Sequence, residues 1–262
     1  IESFKRFPSF LESCNIIIHE KSPSLIKKQK INIAFKNIKW IKSLTKLNKL
    51  PSIFLANEFF DSIPVKQFIK DGSYWYERFI KISDNKKLSF VKEKINIKIL
   101  KKKFNFKILN RQNFIEYSPL GLKYLKNILK FIKKNKGAIL IIDYGYFEEK
   151  MKNTLQAIHK KNYSEVLKNI GKSDITYNVN FHLIDKMAKN YKKLNVNYTS
   201  QEKFLTNLGI HQRAEIISKN KTFAEKADIF YRLKRLTDEN QMGKLFKVML
   251  IKNSDNRSQV GF

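Results

Sequence analysis

Three short apolar runs in this 262-residue chain end in acids or amides. They are Ile16-Ile17-Ile18-His19-Glu20, Ile53-Phe54-Leu55-Ala56-Asn57-Glu58, and Gly137 to Ile142 followed by Asp143-Tyr144-Gly145. Continuous apolar runs of this length fit parallel strands buried on both faces. Open parallel sheets bind ligands at the carboxyl ends of their strands. Glu20, Asn57, Glu58 and Asp143 all fall at such ends, and Asp61 follows three residues after Glu58. Other chemistries lack their residues. Cys14 is the sole cysteine, so neither an intramolecular disulfide nor a cysteine-based zinc site can form. His19, His159, His182 and His211 are too far apart for a helical HxxxH pair, so no metal is expected. No two of the eight glycines lie within four residues of each other, which excludes a P-loop and a GxGxxG turn.

The elements that would position these acids alternate. Residues 1–13 read as a helix, with Phe4, Phe7, Phe10 and Leu11 at helical spacing and Pro8 marking a bend or a late start. Ser22-Pro23 opens a second helix through Gln29, and Leu120 to Lys134 is an amphipathic helix ahead of the Gly137 strand. Between the second and third acid-ended strands the texture changes. Tyr74–Ile82 and Lys87–Lys94 alternate apolar with polar residues around Ser83-Asp84-Asn85, the pattern of an antiparallel hairpin. Helices follow over Gln201–Leu208, His211–Ser218 and Phe223–Leu236, and Leu245–Ile251 is a last strand. The fold expected is α/β, a Rossmann-like mostly parallel sheet with an antiparallel hairpin insertion. It reads as one domain over residues 1–252, with the insertion at about 66–115 and a tail at 253–262.

The net charge of +30 raises nucleic acid as a partner. Two observations argue against it. Only seven of the 53 cations are arginine, the usual bidentate reader of phosphates and bases, and the lysines are spread along the chain. The one dense patch, Lys101-Lys102-Lys103, is short. The longest apolar run, Ala138 to Ile142, is far below the ~20 residues of a membrane span, and no signal peptide is visible. The cytoplasm is the default compartment.

Leu55-Ala56-Asn57-Glu58-Phe59-Phe60-Asp61-Ser62-Ile63-Pro64-Val65 resembles the ANEFFDALPV block of the MidA-like methyltransferases, whose mitochondrial members assist assembly of respiratory complex I. His19-Glu20-Lys21-Ser22-Pro23-Ser24-Leu25, with Gln29, is similar to that family's VExSPxLRxxQ. Further blocks match in order: Asp143-Tyr144-Gly145-Tyr146, Thr154 to Ala157, Asp174 to Phe181, Phe204 to Ile210 and Met242 to Val248. Asn178 and Asn180 depart from the family's His or Asp and its Asp. The resemblance implies a class I fold that binds S-adenosyl-L-methionine. It also implies that the family's glycine-rich loop, ahead of the helix preceding Glu20, belongs to a first βα unit upstream of Ile1.

The resemblance distributes roles. Glu20 would accept hydrogen bonds from the cofactor's ribose hydroxyls, or else cap the Ser22 turn. Trp40 would stack on adenine or serve as a core residue. Asn57 follows the strand that faces the sulfonium methyl. Glu58 and Asp61 would be the catalytic carboxylates, able to hold an arginine's planar fork bidentately. Asp61 reads equally as a helix N-cap. Phe59, Phe60, Asp143 and Tyr144 would line the acceptor side, and Tyr74, Trp75 and Tyr76 either touch a polypeptide or pack on the sheet. The implied function is methylation of a protein arginine on a respiratory-complex subunit, in the cytoplasm or in the mitochondrial matrix. The alternatives are a non-enzymatic assembly factor and a basic nucleic-acid-binding protein.

Overall fold

The computed structural model describes residues 6–33, 37–99 and 111–262. Phe4 and the Lys101–Lys103 patch lie outside them. Contacts divide the chain into two compact units, Ile1–Leu50 and Pro51–Phe262, where the sequence reads as one domain. Each holds its own hydrogen-bonded strands.

The first unit contains helix α1 (Pro8–Ser13), strand β1 (Ile16–His19), helix α2 (Pro23–Asn32) and strand β2 (Ile38–Ile41). Pro8 marks a late start, because its missing N–H and fixed φ suit the first helical turn. The Ser22 Oγ accepts from the Leu25 N–H at 3.3 Å, and Pro23 sits in the first turn as expected. β1 and β2 pair in parallel from Ile16↔Ile38 to His19↔Ile41. Ile41 is the only buried hydrophobic residue among the described residues of this unit.

The second unit is built on β8 (Gly137–Tyr146). β3 (Ser52–Asn57) and β12 (Val179–Asn180) pair with it in parallel, and β14 (Phe246–Asn253) pairs antiparallel. β13 (Leu194–Ser200) lies beyond β14, again antiparallel. β3, β8, β12 and β13 therefore run the same way and β14 runs against them, the mostly parallel sheet expected. Helix α3 (Pro119–Asn135) buries Leu125, Leu129 and Ile132, and the sheet buries Ile139, Ile141, Val248, Met249 and Ile251. The strand expected to be buried on both faces is not. Phe54 meets the Phe131 ring edge-on, whereas Ile53 and Leu55, on the opposite face, are 73% and 75% exposed. Side chains alternate along a strand, so packing on one face leaves the other open.

The insertion is larger than a hairpin. β4 (Lys66–Asp71), β5 (Tyr74–Ile82), β6 (Leu88–Ile95) and β7 (Phe114–Tyr117) form a four-stranded antiparallel sheet in the order β6-β5-β4-β7. β4 and β7 escape a pattern reading because polar residues, Gln67 and Glu116, occupy their buried positions. Phe68, Trp75, Ile115, Tyr117 and Met151 form its core, so Trp75 packs while Tyr74 stays exposed. β9 (Gln156–His159), β10 (Asn162–Ser164) and β11 (Asp174–Thr176) make a further small sheet. The remaining helices are α4 (Phe181–Lys189), α5 (Gln201–Asn207), α6 (Ile210–Ser218), α7 (Phe223–Thr237) and α8 (Met242–Leu245).

Candidate active site: an acidic turn at the end of β3

The second unit gathers its acids just past the end of β3 and toward the end of β8, which runs on to Tyr146 instead of ending at Asp143 as the sequence suggests. The Glu58 N–H continues the parallel ladder by donating to the Ile142 carbonyl at 2.9 Å. Glu58 then takes a φ of 46°, the left-handed region that a side chain rarely adopts, and the chain turns sharply. The amides of Phe60 and Asp61 donate to Asp143 Oδ2 at 3.0 and 3.3 Å, and the Tyr144 amide donates to Asp143 Oδ1 at 3.0 Å. The turn is closed by the Ser62 hydroxyl donating to the Phe59 carbonyl and by the Tyr177 amide donating to the Asp61 carbonyl. No helix follows Asp61. The chain goes through a turn into β4, which removes the helix-cap reading of Asp61.

Asp61 is only 3% exposed, and its Oδ1 finds no hydrogen-bond partner among the described residues. Burial, then the charge of Glu58, then that of Asp174, pushes its carboxyl up to about 6. Asp143 is fully buried, and burial followed by the Asp61 charge pushes it up to about 8. Tyr144 is also raised, by burial first and then by Glu58 and Asp61, while Arg235 of α7 acts in the opposite sense. The Tyr144 ring lies 4.1 Å from that of Phe246 at the start of β14. Asn57 is exposed, and its amide nitrogen donates to Glu58 Oε1 at 3.4 Å. Phe60 is buried, and Phe59 meets it edge-on and touches Tyr124 of α3. The structure thus brings Asn57, Glu58, Phe59, Phe60, Asp61, Asp143 and Tyr144 to one end of one sheet.

Asp174 and Arg235 belong to the same electrostatic neighbourhood; Asp174 opens a family-like block without being marked as a site residue, and Arg235 has no local signature. Asp174 is in a short polar strand and Arg235 in the last turn of a helix, and only the tertiary fold carries them here. Glu116 of β7 is a third addition. Its carboxylate takes the Gln67 amide at 2.6 Å and the Thr154 N–H at 3.1 Å, and burial raises its pKa. The Thr154 hydroxyl in turn accepts the Asn178 N–H at 2.9 Å, so Asn178 contributes a backbone group here whatever its side chain.

In the first unit, Glu20 Oε1 accepts the amides of Lys21 and Ser22 at 2.7 and 2.8 Å, so this oxygen closes its own turn. The Trp40 indole N–H donates to Gln29 Oε1 of α2 at 2.8 Å, which fixes the ring beside β1. Glu20 thus stands just past the end of β1, where its carboxylate takes up backbone amides of the turn into α2.

Residues 1–200 match the model of a family described as S-adenosyl-L-methionine-dependent methyltransferases. The chain is 27% identical over 273 residues to the protein arginine methyltransferase NDUFAF7, mitochondrial, of Xenopus laevis, covering 93% of this chain and 61% of that protein. It is 28% identical over 180 residues to the Caenorhabditis elegans homologue of that enzyme, covering 68% of this chain and 42% of the relative. The chain therefore spans about three fifths or less of the length of these relatives. A superfamily member from Burkholderia thailandensis, solved with S-adenosyl-homocysteine bound, superposes with a TM-score of 0.76 at 21% identity. The match covers 94% of this chain and 66% of that one, and it shows the shared fold. The family match, over most of the chain and both acid-bearing regions, places this protein in the S-adenosyl-L-methionine-dependent methyltransferase family.

Proposed function

We propose that the protein transfers a methyl group from S-adenosyl-L-methionine to a guanidinium nitrogen of a protein arginine. The observation that carries this reading is the buried Asp61 carboxylate with an unpartnered oxygen, next to Glu58 and Asp174 in a protein of net charge +30. A molecule so basic has little reason to collect buried acids unless they meet a cation. Guanidinium suits the arrangement because its planar fork offers paired N–H donors to carboxylates. The names of the relatives support the same acceptor class.

The cofactor supplies an electrophilic methyl on a sulfonium. The chain's own contribution is to hold and orient: in the first unit, Glu20 suits the ribose hydroxyls and Trp40 the adenine face. Glu58 and Asp61 grip the guanidinium, with Phe59, Phe60 and Tyr144 beside it. As the N–C bond forms and the S–C bond breaks, one proton leaves the guanidinium. Asp61 suits its uptake, since a general base works best with a pKa near the working pH. A respiratory-complex subunit is the partner we propose, and the mitochondrial matrix or the cytoplasm the compartment. Among the described residues no helix is long and apolar enough to cross a membrane.

Two measurements test the reading. The chain is titrated calorimetrically with S-adenosyl-homocysteine, and incubated with labelled cofactor and arginine-containing subunit peptides. Label on arginine that falls at least tenfold in Glu58→Gln, with cofactor affinity unaltered, is the expected result; tenfold corresponds to ~1.4 kcal/mol of transition-state binding. Label on a nucleic acid, or on lysine instead of arginine, would overturn the acceptor assignment. Cofactor binding without transfer to any acceptor would favour a binding module.

A further inference from the structure

Asp143 lies inside β8, which runs on to Tyr146, and its side chain is fully buried. Its two oxygens nevertheless take three backbone N–H groups: Phe60 and Asp61 on Oδ2, and Tyr144 on Oδ1. Two of these donors belong to the turn that presents Glu58 and Asp61, some eighty residues earlier in sequence. That turn begins with Glu58 in the left-handed region, a conformation that persists only when its surroundings hold it. The β3–β8 ladder holds the chain up to the Glu58 amide, and beyond that point the Asp143 carboxyl takes over.

We propose that Asp143 is the positioning residue of the acceptor site: by accepting the Phe60 and Asp61 amides it fixes the turn, and so sets where the Glu58 and Asp61 carboxylates stand. The role requires an acceptor oxygen and not a charge. A neutral side chain with one carbonyl oxygen can still take both turn amides, and burial beside Asp61 favours the neutral form of Asp143 up to about pH 8. This separates Asp143 from Glu58 and Asp61, whose proposed work needs the negative charge. The inference rests on the reading of Glu58 and Asp61 as arginine-binding carboxylates, and its first test does not depend on it.

That test is amide hydrogen exchange on the full chain, read by NMR at Phe60, Asp61 and Tyr144. Slow exchange is expected at all three. In Asp143→Ala the protection at all three is lost. In Asp143→Asn it survives at Phe60 and Asp61 and falls at Tyr144, where an amide NH₂ would face an N–H. The second readout is the affinity of the chain for acetyl-arginine-amide. It should drop at least tenfold in Asp143→Ala and recover to within about threefold of the parent in Asp143→Asn. Unprotected Phe60 and Asp61 amides in the parent chain would overturn the proposal. So would an Asp143→Asn protein that keeps its fold and its protected turn but loses the probe as completely as the Ala variant does, because that marks a direct charge role. If Asp143→Ala does not fold, Asp143→Asn alone decides between these outcomes. A chain that shows the expected exchange pattern but binds no arginine probe supports the role of Asp143 in holding the turn and overturns the arginine reading.

Discussion

Asp61 combines burial, an unpartnered oxygen and two acidic neighbours, and each feature favours its protonated form. A guanidinium reverses that preference by pairing with the charge. Affinity for acetyl-arginine-amide should therefore strengthen as pH rises from 5 to 7, with a midpoint near the value of about 6 set by the site. Asp61→Asn should flatten this dependence, which calorimetry across the range would show. Stability runs the other way. A carboxyl whose pKa is higher in the folded than in the unfolded chain makes the folded state the better proton binder. Its contribution is greatest below the ordinary carboxylate range and is lost as pH rises, through about 6 for Asp61 and about 8 for Asp143. The melting temperature should fall between pH 5 and 8.5, and Asp61→Asn should remove part of that slope. Glu58 and Asp143 were legible because they close apolar runs of the sequence, and Asp61 because it follows Glu58 in the same family-like block. The places of Asp174, Arg235 and Glu116 beside this site were not, because a polar residue in a short strand or a helix end carries no mark of what the fold brings beside it.

Among the elements, those with a strong local pattern are the ones the sequence reveals. α3 has an amphipathic stripe and a Ser118 cap whose hydroxyl accepts the Gly121 N–H at 2.9 Å. The acid-ended strands are visible as unbroken apolar runs. β4 and β7 are not, since the buried Gln67–Glu116 pair interrupts their alternation with groups that only the tertiary structure satisfies. β8 carries a different constraint at its far end. A Cβ on Gly145 would stand 2.4 Å from the Val179 carbonyl and 2.6 Å from the Phe181 ring, so the β8–β12 pairing and α4 both require its absence. Gly145→Ala should destabilise the protein by ~1–3 kcal/mol, the usual cost of overpacking. Chemical denaturation would measure this, and unchanged stability would mean that β12 moves aside freely.

At the scale of the molecule, apolar burial is unevenly shared. In the first unit the described residues bury Ile41 alone among hydrophobics, whereas β8 and β14 lie at the centre of a continuous core. Regions with few buried contacts open more readily. Amides of β1 and β2 should exchange orders of magnitude faster than those of β8 and β14, as residue-resolved exchange would show. Equal protection would mean that the first unit gains its stability from groups not visible in its burial.

The insertion sheet has a consequence for how the chain finds its fold. β3 must pair with β8 across a long stretch of sequence, Ser52 with Gly137 and Asn57 with Ile142, and such non-local pairing is slow because the loop must close first. The insertion divides that search. β5 and β6 meet through the Ser83–Lys87 turn, β4 joins β5 across Gly72, and β7 adds to β4 so that Lys66 sits opposite Tyr117. Once formed, this sheet sets the end of the acidic turn next to the start of α3, and the remaining gap to β8 is little more than one helix. Disrupting the β4–β7 pairing, for example by Phe68→Pro, should slow refolding by stopped-flow fluorescence far more than shortening the exposed Ser83–Lys87 tip does. The insertion sheet would then be what lets the acidic turn assemble in time.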